Sequence, residues 1–165
     1  MSSATPSATE RKTIGVFTSQ VGRAWGSEFI AGVTDAAEAS NVNVVHFIGG
    51  PLSLISQDDK PSLGLYDLAK PEQFDGLILT ADVAYGVNLA DLSLVRKLYG
   101  SLPIVTQSVD VPGAAMFLPN NAEGIRAVLR HLIEEHGYKR IAFLRGIQGQ
   151  IDAEQRYQAY REELQ

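Results

Sequence analysis

The chain has 165 residues, of which 45% are apolar and 20% charged; this is the balance of a folded globular protein and not of a disordered tail. It has no cysteine, which excludes disulfide scaffolds, thiolate metal sites, iron–sulfur clusters and thiol catalysis. Fourteen Lys and Arg against nineteen Asp and Glu leave a net charge of −5, so the chain is not built around nucleic acid or an anionic membrane.

Residues 1–12 are rich in Ser, Thr and Ala and lack an apolar core. They read as a short disordered leader, not an export signal. No run approaches the ~18 apolar residues of a membrane span, so the expected location is cytoplasmic, with no membrane partner. Residues 13–17 form the first expected strand. Phe29, Ile30, Val33, Ala36 and Ala37 then recur at helical spacing. A second strand is expected over 42–48, a loop at Asp58-Asp59-Lys60-Pro61, and a short helix over 63–69. Residues 76–79 form a third strand, and Leu89, Leu92, Val95, Leu98 and Tyr99 mark another helix. A fourth strand covers 103–106 and a short one 115–118.

The clearest helix carries Ile125, Val128, Leu129, Leu132, Ile133 and His136 in one stripe. Asn120 caps it, with Glu123 three residues on, and Gly137 ends it. A strand is expected over 140–144. A last helix starts at a capping-box-like Asp152–Gln155 pair and shows Ala153, Tyr157, Tyr160 and Leu164 on one face. The apolar runs do not alternate, so both faces of each strand are expected to be buried, as in central strands of a parallel sheet. The fold class is therefore α/β, a three-layer α-β-α arrangement on a parallel sheet. The last helix stops without a closing Gly, Asn or Pro, so the chain reads as a fragment.

In open parallel sheets ligands sit outside the carboxyl ends of the strands. The first strand ends in Thr18, Ser19 and Gln20, followed by Arg23 and the only tryptophan, Trp25. Gly49 and Gly50 follow the second strand, Thr80, Ala81 and Asp82 the third, Gln107 and Ser108 the fourth, and Arg145 the strand at 140–144. This rim suits a small polar ligand with an apolar face, such as a sugar or nucleoside. Loops are polar in any protein, so an ordinary solvated rim stays open as a reading. A tryptophan in a first helical turn equally reads as a packing residue.

No Gly-x-Gly-x-x-Gly follows the first strand, and there is no Walker A sequence or Gly-x-Ser-x-Gly elbow. On a regular α-helix a spacing of five puts His131 and His136 on different faces, so no metal pair is expected there. His136 reads as a packed helix-end residue, and His46 as a core residue or a ligand-facing polar group. Arg126, Arg130, Lys139 and Arg140 read as a solvated face. The expectation is a non-enzyme with no cofactor and no metal.

Residues 119–146, from Pro119-Asn-Asn-Ala-Glu-Gly to Tyr138-Lys-Arg-Ile-Ala-Phe-Leu-Arg-Gly146, resemble the hinge and following helix–strand unit of LacI/GalR-family effector-binding domains. Residues 152–164 resemble that family's next helix. The first strand and helix and residues 74–79 also fit, so the resemblance runs from about Thr13 onward. It implies a type I periplasmic-binding-protein-like fold, in which two lobes close on a small ligand. Residues 13–119 would be the first lobe, Asn120 and Asn121 the hinge, and 120–165 an incomplete second lobe. By motif position Arg156 would hold ligand hydroxyls or a carboxylate, which its planar fork of donors suits.

Three departures qualify the resemblance. No helix-turn-helix precedes the first strand, so no direct nucleic-acid contact is implied. Ala159 stands where the family has Gly, and His136-Gly137 reverses the family's Gly-His order. Such variants resemble sensor domains placed ahead of output modules such as diguanylate cyclases or histidine kinases. The implied partners are a small-molecule effector, a second copy in a homodimer and a C-terminal output domain. A transport solute receptor, a regulator lacking its DNA-binding domain, and a doubly wound enzyme acting on a sugar or nucleotide remain alternatives.

Overall fold

The structure is a computed structural model; it describes residues 11–19, 21–22, 24–51, 65–66, 68–84, 92, 95–97 and 99–165. The leader through residue 10, the 58–61 loop, and Gln20, Arg23, Leu89 and Leu98 lie outside the described residues.

Five strands form one sheet: β1 (Thr13–Thr18), β2 (Asn43–Ile48), β3 (Gly76–Leu79), β4 (Ile104–Gln107) and β5 (Ala115–Phe117). Their order is β2-β1-β3-β4-β5. The β1–β2, β1–β3 and β3–β4 pairings are all parallel, with Phe17 opposite both Phe47 and Leu79. The chain divides into two compact units, 1–115 and 116–165.

In the first unit the uninterrupted apolar runs of β1 and β3 are buried, as expected: Val16, Phe17, Leu77 and Leu79 are all sealed. β2 differs. It is an edge strand, and Val45 and Ile48 are exposed. An edge strand carries the same apolar composition as a central one, so composition does not distinguish them. Phe17 is the centre of an aromatic cluster. Its ring lies 4.9 Å from Tyr66 and meets Phe47 and Tyr99 edge-on at 5.4 and 5.5 Å. The Tyr99 hydroxyl reaches Ala69 O at 3.1 Å, which satisfies a buried polar tip. Leu92, Val95 and Tyr99 are helical and buried, as their spacing predicts, and Leu65 and Tyr66 are helical within the expected 63–69 segment.

The helix α1 (Ala24–Ala39) follows β1. It ends in a Schellman motif. Asn41 takes a φ of 56°, its N–H bonds Glu38 O, and Val42 N–H bonds Ala37 O.

His46 on β2 has both ring nitrogens buried without a hydrogen-bond partner. Desolvation lowers its pKa from the ordinary 6.5. The unfolded chain therefore takes up this proton at a higher pH than the folded chain does. Stability should fall as pH drops below 6.5, down to the lowered folded value. In His46→Leu this contribution should vanish, and stability at neutral pH should rise by about 1 kcal/mol, because two orphaned polar atoms are removed. Urea titrations at several pH values test both points.

The second unit holds α2 (Asn121–Arg130), a π-helical turn (His131–Glu135) and α3 (Ile151–Glu163). The Asn120 cap forms as expected, its side chain accepting from Glu123 N–H at 3.2 Å. Gly137, at φ 65°, closes the helix. The expected start of α3 is corrected. Gln150 is the N-cap without a side-chain bond, and Asp152 lies inside the helix, buried. Glu154 reaches back past the N-cap, its carboxylate accepting from Gly149 N–H at 2.9 Å.

The expected strand at 140–144 is also corrected: these residues carry no regular secondary structure and join no ladder. A strand needs a ladder partner, and the described residues of this unit supply none beside it. Phe143 stacks on Tyr160 at 4.8 Å, and the Tyr160 hydroxyl donates to Ile141 O at 2.7 Å. α2 and α3 are tied by Arg126–Glu162 and Arg130–Glu163, both at 2.7 Å.

Candidate functional site

In the first unit the strand order reverses between β1 and β3. In a doubly wound sheet that switch point is where a crevice opens beyond the carboxyl ends. Asp82 occupies this place. Its Oδ2 accepts from Ser19 N–H at 2.9 Å, Ser19 Oγ at 2.8 Å and Thr18 Oγ1 at 3.3 Å. Its Oδ1 accepts from Val83 N–H at 3.1 Å and from the Thr80 hydroxyl. One carboxylate thus fastens the end of β1 to the end of β3.

Thr18 and Thr80 are fully buried, whereas Ser19 and Asp82 stay partly open to solvent. Thr18 therefore supports the rim from beneath. Gln107 is buried at the end of β4. It accepts from Ala81 N–H at 3.2 Å and donates to Ser108 Oγ at 2.8 Å. Ser108 has a φ of 55°, the left-handed region that non-glycine residues enter at a cost, often beside functional sites.

Tyr66 was not among the residues expected at the rim, since a lone tyrosine in a short helix carries no pattern. Its ring lies over Gly49, and its hydroxyl donates to Gly50 O at 3.0 Å. Burial, and next the negative charge of Asp82, push its pKa far above the ordinary 10.0. A Cβ at Gly49 would stand 2.5 Å from the Tyr66 ring. Gly49→Ala should therefore displace Tyr66 and cost about 1–3 kcal/mol by overpacking; its melting curve would show the loss.

Trp25 lies in the first turn of α1, nearly half exposed, and stacks on Phe29 at 5.4 Å. It is not a core residue; its ring packs on its own helix. Of the expected rim residues, Gln20 and Arg23 fall outside those described.

In the second unit Asn121 is the centre. Its Nδ2 donates to Asp152 Oδ1 at 2.8 Å and Gln155 Oε1 at 3.0 Å, and its Oδ1 accepts from Arg156 Nε at 2.8 Å. This fixes one edge of the Arg156 guanidinium and leaves the exposed side chain able to donate further. Arg145 bonds Glu154 at 2.5 Å and lies 4.5 Å over the Tyr157 ring. Hydrogen bonds from Gly149 N–H and from Arg145 hold the Glu154 carboxyl below the usual range. A groove of about 620 Å3 runs between the start of α2 and the face of α3, lined by Asn120, Asn121, Arg126, Tyr157 and Glu162 among others; Arg156 is not part of its wall.

The histidine expectation is corrected here. His131 and His136 bring their Nε2 atoms within 3.1 Å. No group of three or more metal-ligating side chains occurs among the described residues. No helix of the described residues is long and apolar enough to cross a membrane.

The fold is α/β, with helices flanking a parallel sheet of the type I periplasmic-binding-protein-like kind. Known structures agree. The chain superposes on a LacI family transcriptional regulator from Mycobacterium smegmatis with a TM-score of 0.70 and 25% identity, over 92% of this chain and 50% of that one. It matches a lac repressor dimer bound to operator and the anti-inducer ONPF with a TM-score of 0.69 and 21% identity, over 95% and 52%. It matches GanP, a glucose-galactose binding protein from Geobacillus stearothermophilus, with a TM-score of 0.66 and 17% identity, over 94% and 54%. The chain thus has the fold of LacI-type regulators and periplasmic binding proteins and spans about half the length of these relatives. They are regulators and a binding protein rather than enzymes. No family model and no curated protein matches the sequence.

Proposed function

We propose that the chain is the ligand-sensing part of a regulator or signal-transduction protein. Residues 13–119 supply the first lobe, Asn120 and Asn121 the hinge, and 120–165 the beginning of the second. The ligand is a small polar molecule, sugar-like or nucleoside-like, and lobe closure on it passes a signal to an output domain or a second copy in a homodimer. A ligand drives closure only through its differential affinity for the open and closed states.

The observation that carries this reading is the Asp82-centred rim at the β1–β3 switch point. Ser19 and Asp82 offer partly open hydrogen-bonding groups on rigid strand ends, which suits sugar hydroxyls. Trp25, Gln20, Arg23 and Gln107 belong to the same lobe's contribution, and Arg145 and Arg156 to the second's. Glucose-galactose binding in a protein of the same fold supports the sugar class and also keeps a transport receptor as the second reading.

Calorimetric titration of monosaccharides and nucleosides into a chain carrying both lobes tests the proposal. Saturable binding that Arg156→Ala weakens in a variant that stays folded, with a melting temperature lowered because Asn121 Oδ1 loses its donor, is the expected result. A folded protein that binds nothing in a broad panel would overturn it. Cell fractionation separates the sensor, expected in the cytoplasm, from an exported receptor.

A further inference from the structure

The His131–His136 pair belongs to neither the strand-end rim nor the groove. On a regular α-helix, residues five apart lie about 140° apart around the axis. The chain avoids this by changing its winding. Residues His131–Glu135 form a π-helical turn, which is wider, and π turns of this kind gather at functional sites. At its end Gly137 N–H bonds Ile133 O at the ordinary four-residue spacing, and Tyr138 N–H bonds Leu132 O six residues back. The histidine rings meet edge-on with centroids 4.8 Å apart, and Tyr138 stacks on His136 at 5.5 Å with the planes 15° apart. Both histidines are exposed.

We propose that His131 and His136 form a two-histidine chelate for a divalent transition metal of the zinc and copper class. With metal–nitrogen bonds of about 2.0–2.1 Å, the ligating nitrogens of two imidazoles on one ion stand about 2.8–3.4 Å apart for angles between octahedral and tetrahedral. The Nε2–Nε2 separation of 3.1 Å falls inside that interval. Imidazole is a preferred ligand for these ions, and hard cations such as Mg2+ prefer oxygen. Without metal, one ring donates its Nε2 proton to the other. With metal, that ring carries its proton on Nδ1, so both Nε2 lone pairs face the ion and no net proton is lost. Water completes the coordination. The chelate closes the π turn covalently at its surface and fixes the end of the helix.

Titration of zinc chloride into the whole chain by calorimetry, near pH 7.5, tests the site. One ion per chain is expected, with copper chloride binding more tightly and magnesium chloride not at all. His131→Gln and His136→Gln should each weaken zinc binding by about tenfold or more, because each removes half of a chelate. Circular dichroism confirms that the variants keep their helix. The electron paramagnetic resonance spectrum of the unaltered chain with one equivalent of Cu2+ needs no variant, and it should show two coordinated nitrogens. Wild-type zinc affinity in either variant, equal binding of magnesium, or a single-nitrogen copper spectrum would each overturn the proposal.

Discussion

Replacement of Asp82 by alanine is expected to lower stability by about 3 kcal/mol. The carboxylate accepts two backbone N–H bonds and three hydroxyl bonds, and most of its partners lie on a different strand end. Hydrogen bonds to a charged acceptor contribute about 1.5–3 kcal/mol each. The site is partly open, so water recovers some of them, and the Thr80 hydroxyl proton turns to Phe17 O, within 3.0 Å. Thr18 is different: its hydroxyl is fully sealed and loses the acceptor it has now. Asp82→Asn retains an acceptor oxygen and should lose roughly half as much. Urea denaturation with an unchanged slope and a lowered midpoint is the expected signature. If Asp82 also holds ligand, the asparagine variant should bind more weakly than its stability loss explains. A stability change below about 1 kcal/mol in the alanine variant would mean that the β1–β3 crevice does not depend on this carboxylate.

Much of this architecture was legible because it rests on local chemistry. Residues 76–79 had to be a buried strand, since Gly-Leu-Ile-Leu offers no polar side. Asn120 and Glu123 had to start a helix, because only such side chains answer the orphan N–H groups. Position in the sheet is not local, so β2 was read as central although it is an edge. The strand expected at 140–144 failed for the same reason, because pairing needs a neighbour that the residues themselves do not specify.

The histidine pair was hidden by the assumption of 3.6 residues per turn, which a π turn breaks without any sequence signal. At the rim, strand ends located Ser19 and Asp82. That Asp82 is the hub, with Thr18 beneath it and Tyr66 beside it, depends on packing depth. A one-dimensional pattern does not carry depth.

The second unit rests on a narrower base, and Asn121 carries it. The residue is nearly sealed and links α2 to three side chains of α3. Asn121→Leu keeps the volume and the helix but removes both the amide donor and the acceptor. The Asp152 carboxylate is buried and would lose a donor at 2.8 Å, and Arg156 Nε would lose its acceptor. Stripping a partner from a buried charge costs several times what an exposed pair contributes. The Arg126–Glu162 and Arg130–Glu163 pairs are exposed and do not compensate. The expected loss is about 3 kcal/mol, measured as faster hydrogen exchange in the α2 and α3 amides. Arg126→Ala, by contrast, should change exchange in the same helices by less than about 1 kcal/mol. If the two variants behaved alike, α2 and α3 would be joined by their charged surfaces. The larger effect at Asn121 would place the join in the buried amide, and the same amide also orients Arg156.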